Sequence, residues 1–380
     1  MKQALINGRV FDGEKLHDGV ALILEDDRIC ALLPDSDGVN DIAARLDLEG
    51  HILAPGLIDM QVNGGGGVLF NDAPDVDTIR IIGEAHRRFG TTGFLPTLIS
   101  TDFDTMKRAV EAVSRAISSG VPGVLGIHLE GPFLNPEYAG IHDAGSFSRI
   151  DDRIFELLTS LDEGRVLITV APEMIPTEMI SRLAGKGVLV FAGHSAASHA
   201  QVRAALEAGL RGFTHLFNAM TQFGSREPGM VGAALEDRNS WFGIIADGHH
   251  VHPASFAVAV AAKRRGRAVL VTDAMPTVGS EAKTFQLNGE TVEAVDGCCR
   301  LPDGRLAGSD LGMITAVRNA ADFASIDLFE ALRMASSYPA QALGLDSGLG
   351  FIRPGYRANF IELDDEMNLY RSWIDGEVNE

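Results

Sequence analysis

Residues 123–130, GVLGIHLE, run a short apolar strand into an acidic residue, and three later stretches repeat the design. Residues 188–194 (VLVFAGH) end on His194, residues 212–215 (GFTH) on His215, and residues 267–273 (RAVLVTD) on Asp273. Runs this short and this apolar suit strands buried on both faces, the signature of a parallel sheet covered by helices. Chemistry-bearing side chains at four such ends converge only if the strands lie side by side with their carboxyl ends at one mouth. That is the geometry of a barrel with its site at the top.

Outward from these four, strand candidates occur at 56–62 (GLIDMQV), 92–99 (TGFLPTLI), 165–173 (RVLITVAPE) and 241–247 (WFGIIAD). Amphipathic stretches lie between them. In 77–90, Ile79, Ile82, Ala85, His86 and Phe89 recur at helical spacing, and 106–117 behaves likewise. The count predicts an α/β chain with a (β/α)8 TIM-like barrel over 54–350. A doubly wound sheet is the alternative, and it would place a ligand near only two or three strand ends. Residues 280–308 predict a glycine-rich hairpin over the mouth. Residues 1–53 and 351–380 instead read as short strands separated by turns such as Asp12-Gly13 and Asp364-Asp365. They predict one small β-sandwich domain built from both termini, with the barrel inserted between them.

The formal charge of −20 gives no basic face for DNA or RNA, so a nucleic-acid partner is not expected. Cys30, Cys298 and Cys299 make no disulfide framework. The opening MKQALINGRVFDG reads as strand and turn rather than a leader, and no apolar run is long enough to span a membrane. The cytoplasm is the expected compartment, with no membrane partner.

Glu130, His194 and His215 supply one carboxylate and two imidazoles, a usual shell for catalytic Zn2+ with a fourth position left for water. The ligand set is intermediate in softness, so Fe2+ or another first-row divalent ion also fits. Asp273 is placed to act as general base and then acid, because water on a divalent ion gives up its proton near neutral pH. His142, in AGIHDAG, is within the reach of a loop that meets a substrate carbonyl. His249, His250 and His252 crowd the end of the seventh strand, and periodicity does not choose among them. Arg226 offers a charge for an anionic group, while Asn218 and Ala219 offer an amide and a backbone N–H for oxygens. His86 and His199 read as surface or packing residues. His17, His51 and His128 read as structural, with His128 sharing the strand face of Glu130.

The segments HLEGPF, GH at 193–194, THLFNAM and VTDAMP, with INGRVFDG near the start and RPGYRANFIELD near the end, resemble the N-acetylglucosamine-6-phosphate deacetylases of the amidohydrolase superfamily over essentially the full chain. The resemblance implies Glu130, His194 and His215 as metal ligands, Asp273 as base and acid, and His142 on the acetamido carbonyl. It also implies Asn218, Ala219, Arg226 and His250 around the sugar phosphate, with one phosphate-binding residue drawn from the neighbouring subunit of a homodimer. Gln61 and Asn63 stand where other amidohydrolases carry an HxH pair, which implies one metal rather than two. The expected reaction is deacetylation of N-acetyl-D-glucosamine 6-phosphate to D-glucosamine 6-phosphate and acetate. An epimeric N-acetylhexosamine 6-phosphate is the nearest alternative. A non-catalytic sugar-phosphate binder is the other, and it has no need of Asp273.

Overall fold

The apolar runs fold into eight parallel strands, Leu57–Val62, Thr91–Ile99, Gly126–Glu130, Arg165–Val170, Leu189–Ala192, Gly212–Phe213, Trp241–Ile244 and Ala268–Leu270, hydrogen-bonded in chain order. The structure, a computed structural model, describes residues 2–34, 39 and 41–379. Every residue of the first two strands is buried, which is why they read as continuous rather than alternating apolar runs. The first and eighth strands end the hydrogen-bonded order, and the ring closes beyond them. Val62 bridges Ala274 in parallel fashion, and the Asp273 N–H donates to Gln61 O at 3.0 Å.

Helices pack around this ring for reasons visible in the sequence. Val76–Arg87 begins at Asp75, whose carboxylate accepts from the Thr78 N–H, and it buries Ile79, Ile82, Ala85 and His86. Phe103–Ser118 is capped the same way by Asp102 and buries Met106, Ala109, Val110 and Val113. Each cap contributes about 1 kcal/mol, and each buried large aliphatic side chain about 1.5–3 kcal/mol. Packing against the barrel therefore dominates. The apolar faces of both helices join the strands in one continuous core.

The chain ends meet in a second sheet of eight strands. Lys2–Phe11, Leu16–Glu25, Arg28–Pro34, Ala44–Asp47 and Ile52–Pro55 pair with Phe360–Leu363, Leu369–Ile374 and Glu377–Asn379. Phe360 and Trp373 stack with ring centroids 4.8 Å apart, in a core shared with Leu5, Leu22 and Leu53. Strand Ile52–Pro55 lies across the expected division at 53/54, and Met1 and Glu380 fall outside the described residues. Arg87 ties the two sheets together, its Nη2 donating to Ser372 O at 3.2 Å and to Glu377 O at 2.6 Å.

One expectation is corrected. Residues 280–308 are not a single hairpin: Thr284–Leu287, Glu290–Val295, Cys298–Arg300 and Leu306–Ser309 form a four-stranded antiparallel sheet. Its apolar side, with Leu287, Val292, Cys299 and Leu301, packs on Leu69, Ile99 and Met275 at the mouth. The second pair of strands was hidden by the cysteines and the short Leu301–Gly304 turn, which break the alternation that marks a strand.

Candidate active site

The sixteen-residue lining of a cleft of about 320 Å³ at the carboxyl ends of the barrel strands includes Asn63, Glu130, His142, His194, His215, Asn218, Ala219, His250 and Asp273. Glu130 is the last residue of the third strand. His194, His215 and Asp273 lie just past the ends of their strands, with left-handed backbones at φ 49°, 29° and 52°. Residues other than glycine adopt this region at a cost of about 1–3 kcal/mol each, and such positions cluster at functional sites. The turn lifts each side chain out of the barrel wall and over the mouth. Gly308 has to be glycine beside them, because a Cβ there would stand 2.8 Å from Asp273 O at φ +71°.

Glu130, His194 and His215 each place one ligand atom within 4.8 Å of the others, and all three residues are buried. His215 Nε2 is 2.9 Å from Glu130 Oε1 and 3.0 Å from His194 Nε2. His194 Nε2 is 3.3 Å from the same carboxylate oxygen. Tyr138 O, 2.8 Å from His194 Nδ1, takes the proton of that ring and leaves Nε2 with its lone pair inward. One oxygen and two nitrogens thus converge with fewer protons than lone pairs. A divalent cation satisfies all three at once, and this donor set fits one. Burial raises the Glu130 carboxyl, but the hydrogen bonds and charges of His194 and His215 outweigh it and hold it well below the usual range.

Gln61 and Asn63 fill the space beside this group with amide donors. Gln61 Nε2 donates to Glu130 Oε1 and to Asp273 Oδ1, both at 3.1 Å, and Asn63 Nδ2 donates to Asp273 Oδ1 at 2.7 Å. The two amides hold two carboxylates in place without offering a ligand of their own. Asp273 keeps part of its surface open to the cleft. Desolvation, then the charge of Glu130, push its carboxyl up to about 6.

His142 stands at the opposite side, its Nε2 3.8 Å from Glu130 Oε2. The Ser100 N–H donates to its Nδ1 at 3.2 Å, and burial lowers its pKa to about 3. The ring is therefore neutral with its proton on Nε2, facing the centre as a hydrogen-bond donor. Of the three histidines near the seventh strand, His250 lines the cleft, with Nδ1 2.5 Å from Asp247 Oδ2. His249 bonds Asp296 O instead, and His252 caps the helix Pro253–Ala262.

Arg226 is the expected site residue that the chain does not bring in. It sits in the exposed stretch 222–227 and is absent from the cleft lining. His86 and His128 are packing residues: His86 Nε2 bonds Gly64 O at 2.9 Å, and His128 lies between Thr97 and Thr169 inside the barrel, below Glu130. Sequence reasoning missed Glu173, whose carboxylate accepts from Ser195 Oγ and the Ala196 N–H, both at 2.6 Å, and so fixes the turn after His194. It missed Arg305, which reaches the cleft from the four-stranded excursion, and it gave no role to Asp59. For Asp59 a signal existed: positions 59, 61 and 63 share one face of a strand.

A barrel with one carboxylate and two imidazoles over its mouth, beside a carboxylate of raised pKa, defines a metal-assisted hydrolase. The amidohydrolase family model matches residues 52–378, and the chain belongs to that family. It is 44% identical over 326 residues to an N-acetylgalactosamine-6-phosphate deacetylase of Shewanella sp. (strain ANA-3), covering 86% of this chain and 82% of the relative. To an N-acetylglucosamine-6-phosphate deacetylase of Haemophilus influenzae it is 32% identical, over 100% of both chains. The crystal structure of N-acetylglucosamine-6-phosphate deacetylase from Pasteurella multocida superposes with a TM-score of 0.96 at 34% identity, again over 100% of both. Among the described residues, no helix is long and apolar enough to cross a membrane.

Proposed function

We propose that this chain hydrolyses the acetamide of N-acetyl-D-glucosamine 6-phosphate, releasing acetate and D-glucosamine 6-phosphate, in the cytoplasm. The observation that carries the reading is the convergence of Glu130, His194 and His215 beside Asp273, whose carboxyl is raised to about 6. Glu130, His194 and His215 would hold one divalent ion, zinc by ligand set, with iron(II) the nearest substitute. Bound there, such an ion supplies Lewis acidity, polarising an amide carbonyl and making water more acidic.

The remaining steps belong to this chain's own side chains. Asp273 takes a proton from the attacking water at its outer carboxylate oxygen, Oδ1 being held by Gln61 and Asn63. It then delivers that proton to the departing nitrogen. His142 donates a hydrogen bond from its Nε2–H to the carbonyl oxygen as negative charge builds there. Asn218, the Ala219 N–H and His250 line the cleft where the sugar phosphate lies. Arg226, exposed and outside its own cleft, is assigned to the phosphate of the neighbouring subunit in a homodimer. The chain division into a terminal β domain (1–53 and 351–380) and a barrel (54–350) is part of the same reading.

The 44% identical relative named for the galactosamine epimer favours a second reading, in which N-acetylgalactosamine 6-phosphate is the preferred substrate. Acetate release from both epimers, and from unphosphorylated N-acetylglucosamine, decides between them. A higher kcat/KM on the glucosamine compound supports the first reading, a higher value on its epimer the second. No release from any of them by zinc-loaded protein rejects both.

A further inference from the structure

Asp59 is fully buried in the first barrel strand and touches nothing in the cleft. Its Oδ2 accepts from Thr272 Oγ at 2.5 Å, and its Oδ1 accepts from the Thr272 N–H at 3.3 Å and the Gln61 N–H at 3.2 Å. The first and eighth strands share no regular ladder; the Val62–Ala274 bridge and the backbone N–H groups of Asn63, Gly64 and Asp273 join them past their ends, and this carboxylate adds a side-chain link across the same seam. Both residues it holds are next to the reacting centre. Thr272 immediately precedes Asp273, and Gln61 donates to Asp273 Oδ1 and Glu130 Oε1. Above the seam, Ser309 Oγ donates to Thr272 O at 2.5 Å, and the Ser309 N–H donates to Asp273 O at 3.0 Å.

We propose that Asp59 is a positioning residue for the reaction: by clasping Thr272 and Gln61 across the barrel seam, it fixes the carboxylate of Asp273 for proton transfer. The proposal rests on the reading of Asp273 as proton shuttle. A buried carboxyl is a costly way to close a seam that an apolar pair would close by packing alone. What it adds is direction, because it binds a side-chain hydroxyl and two backbone N–H groups in a single geometry. Burial raises the Asp59 carboxyl, and its hydrogen bonds to Thr272 and Gln61 act against that.

The test compares Asp59→Asn, Thr272→Val, their double variant and Thr272→Ser in the zinc-loaded, full-length enzyme, with zinc content, kcat and KM as readouts. D59N keeps the shape, and T272V removes only the hydroxyl. Each should lower kcat by about 10- to 100-fold with zinc content and KM little changed, as loss of a supporting hydrogen bond does around such sites. The double variant should lose no more than the worse single, since both cut one link. T272S, which keeps the hydroxyl, should stay near wild type. Recovery in T272S with the loss confined to kcat is an outcome that loosened packing would not produce.

Wild-type turnover in folded D59N or T272V overturns the proposal. So does a loss that tracks zinc content, or a T272S loss as large as that of T272V. If D59N fails to fold, T272V decides alone. An active D273N would instead remove the proton-shuttle reading and this proposal with it, whereas an inactive D273N beside a fully active T272V rejects only the role of Asp59.

Discussion

The inner and outer halves of the cleft are built by different rules. At the inner half, Glu130, His194, His215 and His142 are buried and interlocked within one chain, down to 2.9 Å between His215 and Glu130. At the outer half, Asn218, Ala219 and His250 are only partly covered, and Arg226 lies in an exposed loop away from its own cleft. The inner half, where the reaction is proposed, sits on strand ends fixed by a packed ring, which can hold atoms to fractions of an ångström. The outer half is proposed to meet a charged, hydrated group, and an exposed loop carries Arg226. The proposed reaction needs one chain; the proposed recognition needs two.

The sharpest way to break this comparison is Asp273→Asn. Turnover should fall by about 10³- to 10⁴-fold while zinc content and substrate affinity persist, because the shuttle is lost and the ligands are not. Normal kcat in folded, zinc-loaded D273N would remove the inner half's chemistry. Next, His142→Ala should lower kcat by about 10²-fold with zinc retained, since one donor to the developing oxyanion is gone. A parallel fall in zinc content would make His142 part of the ligand shell instead.

Arg226→Ala should weaken kcat/KM for the phosphorylated sugar by about 10- to 100-fold, the worth of a charge-assisted hydrogen bond, and leave unphosphorylated N-acetylglucosamine nearly unaffected. Equal losses on both sugars would place Arg226 in folding rather than recognition. Mixing R226A with D273N subunits sharpens the point further. A hybrid dimer pairs an intact Arg226 with an intact Asp273, so activity above either parent supports the shared site, and full activity in a stable monomer refutes it.

The smallest effect is in pH dependence. Asp273 works ionised, and its carboxyl is raised to about 6, so kcat/KM should be full above that value. Below it, activity should fall about tenfold per pH unit. The limb should vanish from the residual activity of D273N. A profile flat down to pH 4 would mean that Asp273 is not the titrating base.

The barrel was legible because strands buried on both faces are written as uninterrupted apolar runs, and 56–62, 92–99 and 124–130 match the observed strands closely. The cluster was legible because Glu130 ends such a run and His194, His215 and Asp273 each follow one. The four-stranded excursion was less so: its strands face the mouth on one side and solvent on the other, and the pattern is broken by short turns. Among the histidines of ADGHHVHP, periodicity chose none and the resemblance pointed to His250; in the fold, the Asp247 carboxylate gathers the turn through two backbone N–H groups as well as the His250 ring.

Residue type and periodicity alone determined that this chain forms a barrel with a carboxylate and two imidazoles at strand ends and an aspartate beside them. Both are local properties, fixed by which side chains follow which apolar run. Only the tertiary structure decided which groups tune and hold that centre. Gln61 and Asn63 meet Asp273, and Asp59 meets Thr272, across more than 200 residues of chain, through hydrogen bonds that exist only once the eighth strand closes against the first. Arg226 likewise stands outside the cleft because of where its loop leaves the barrel. A hydrogen bond of this kind depends on distance and direction in space, and sequence separation carries neither.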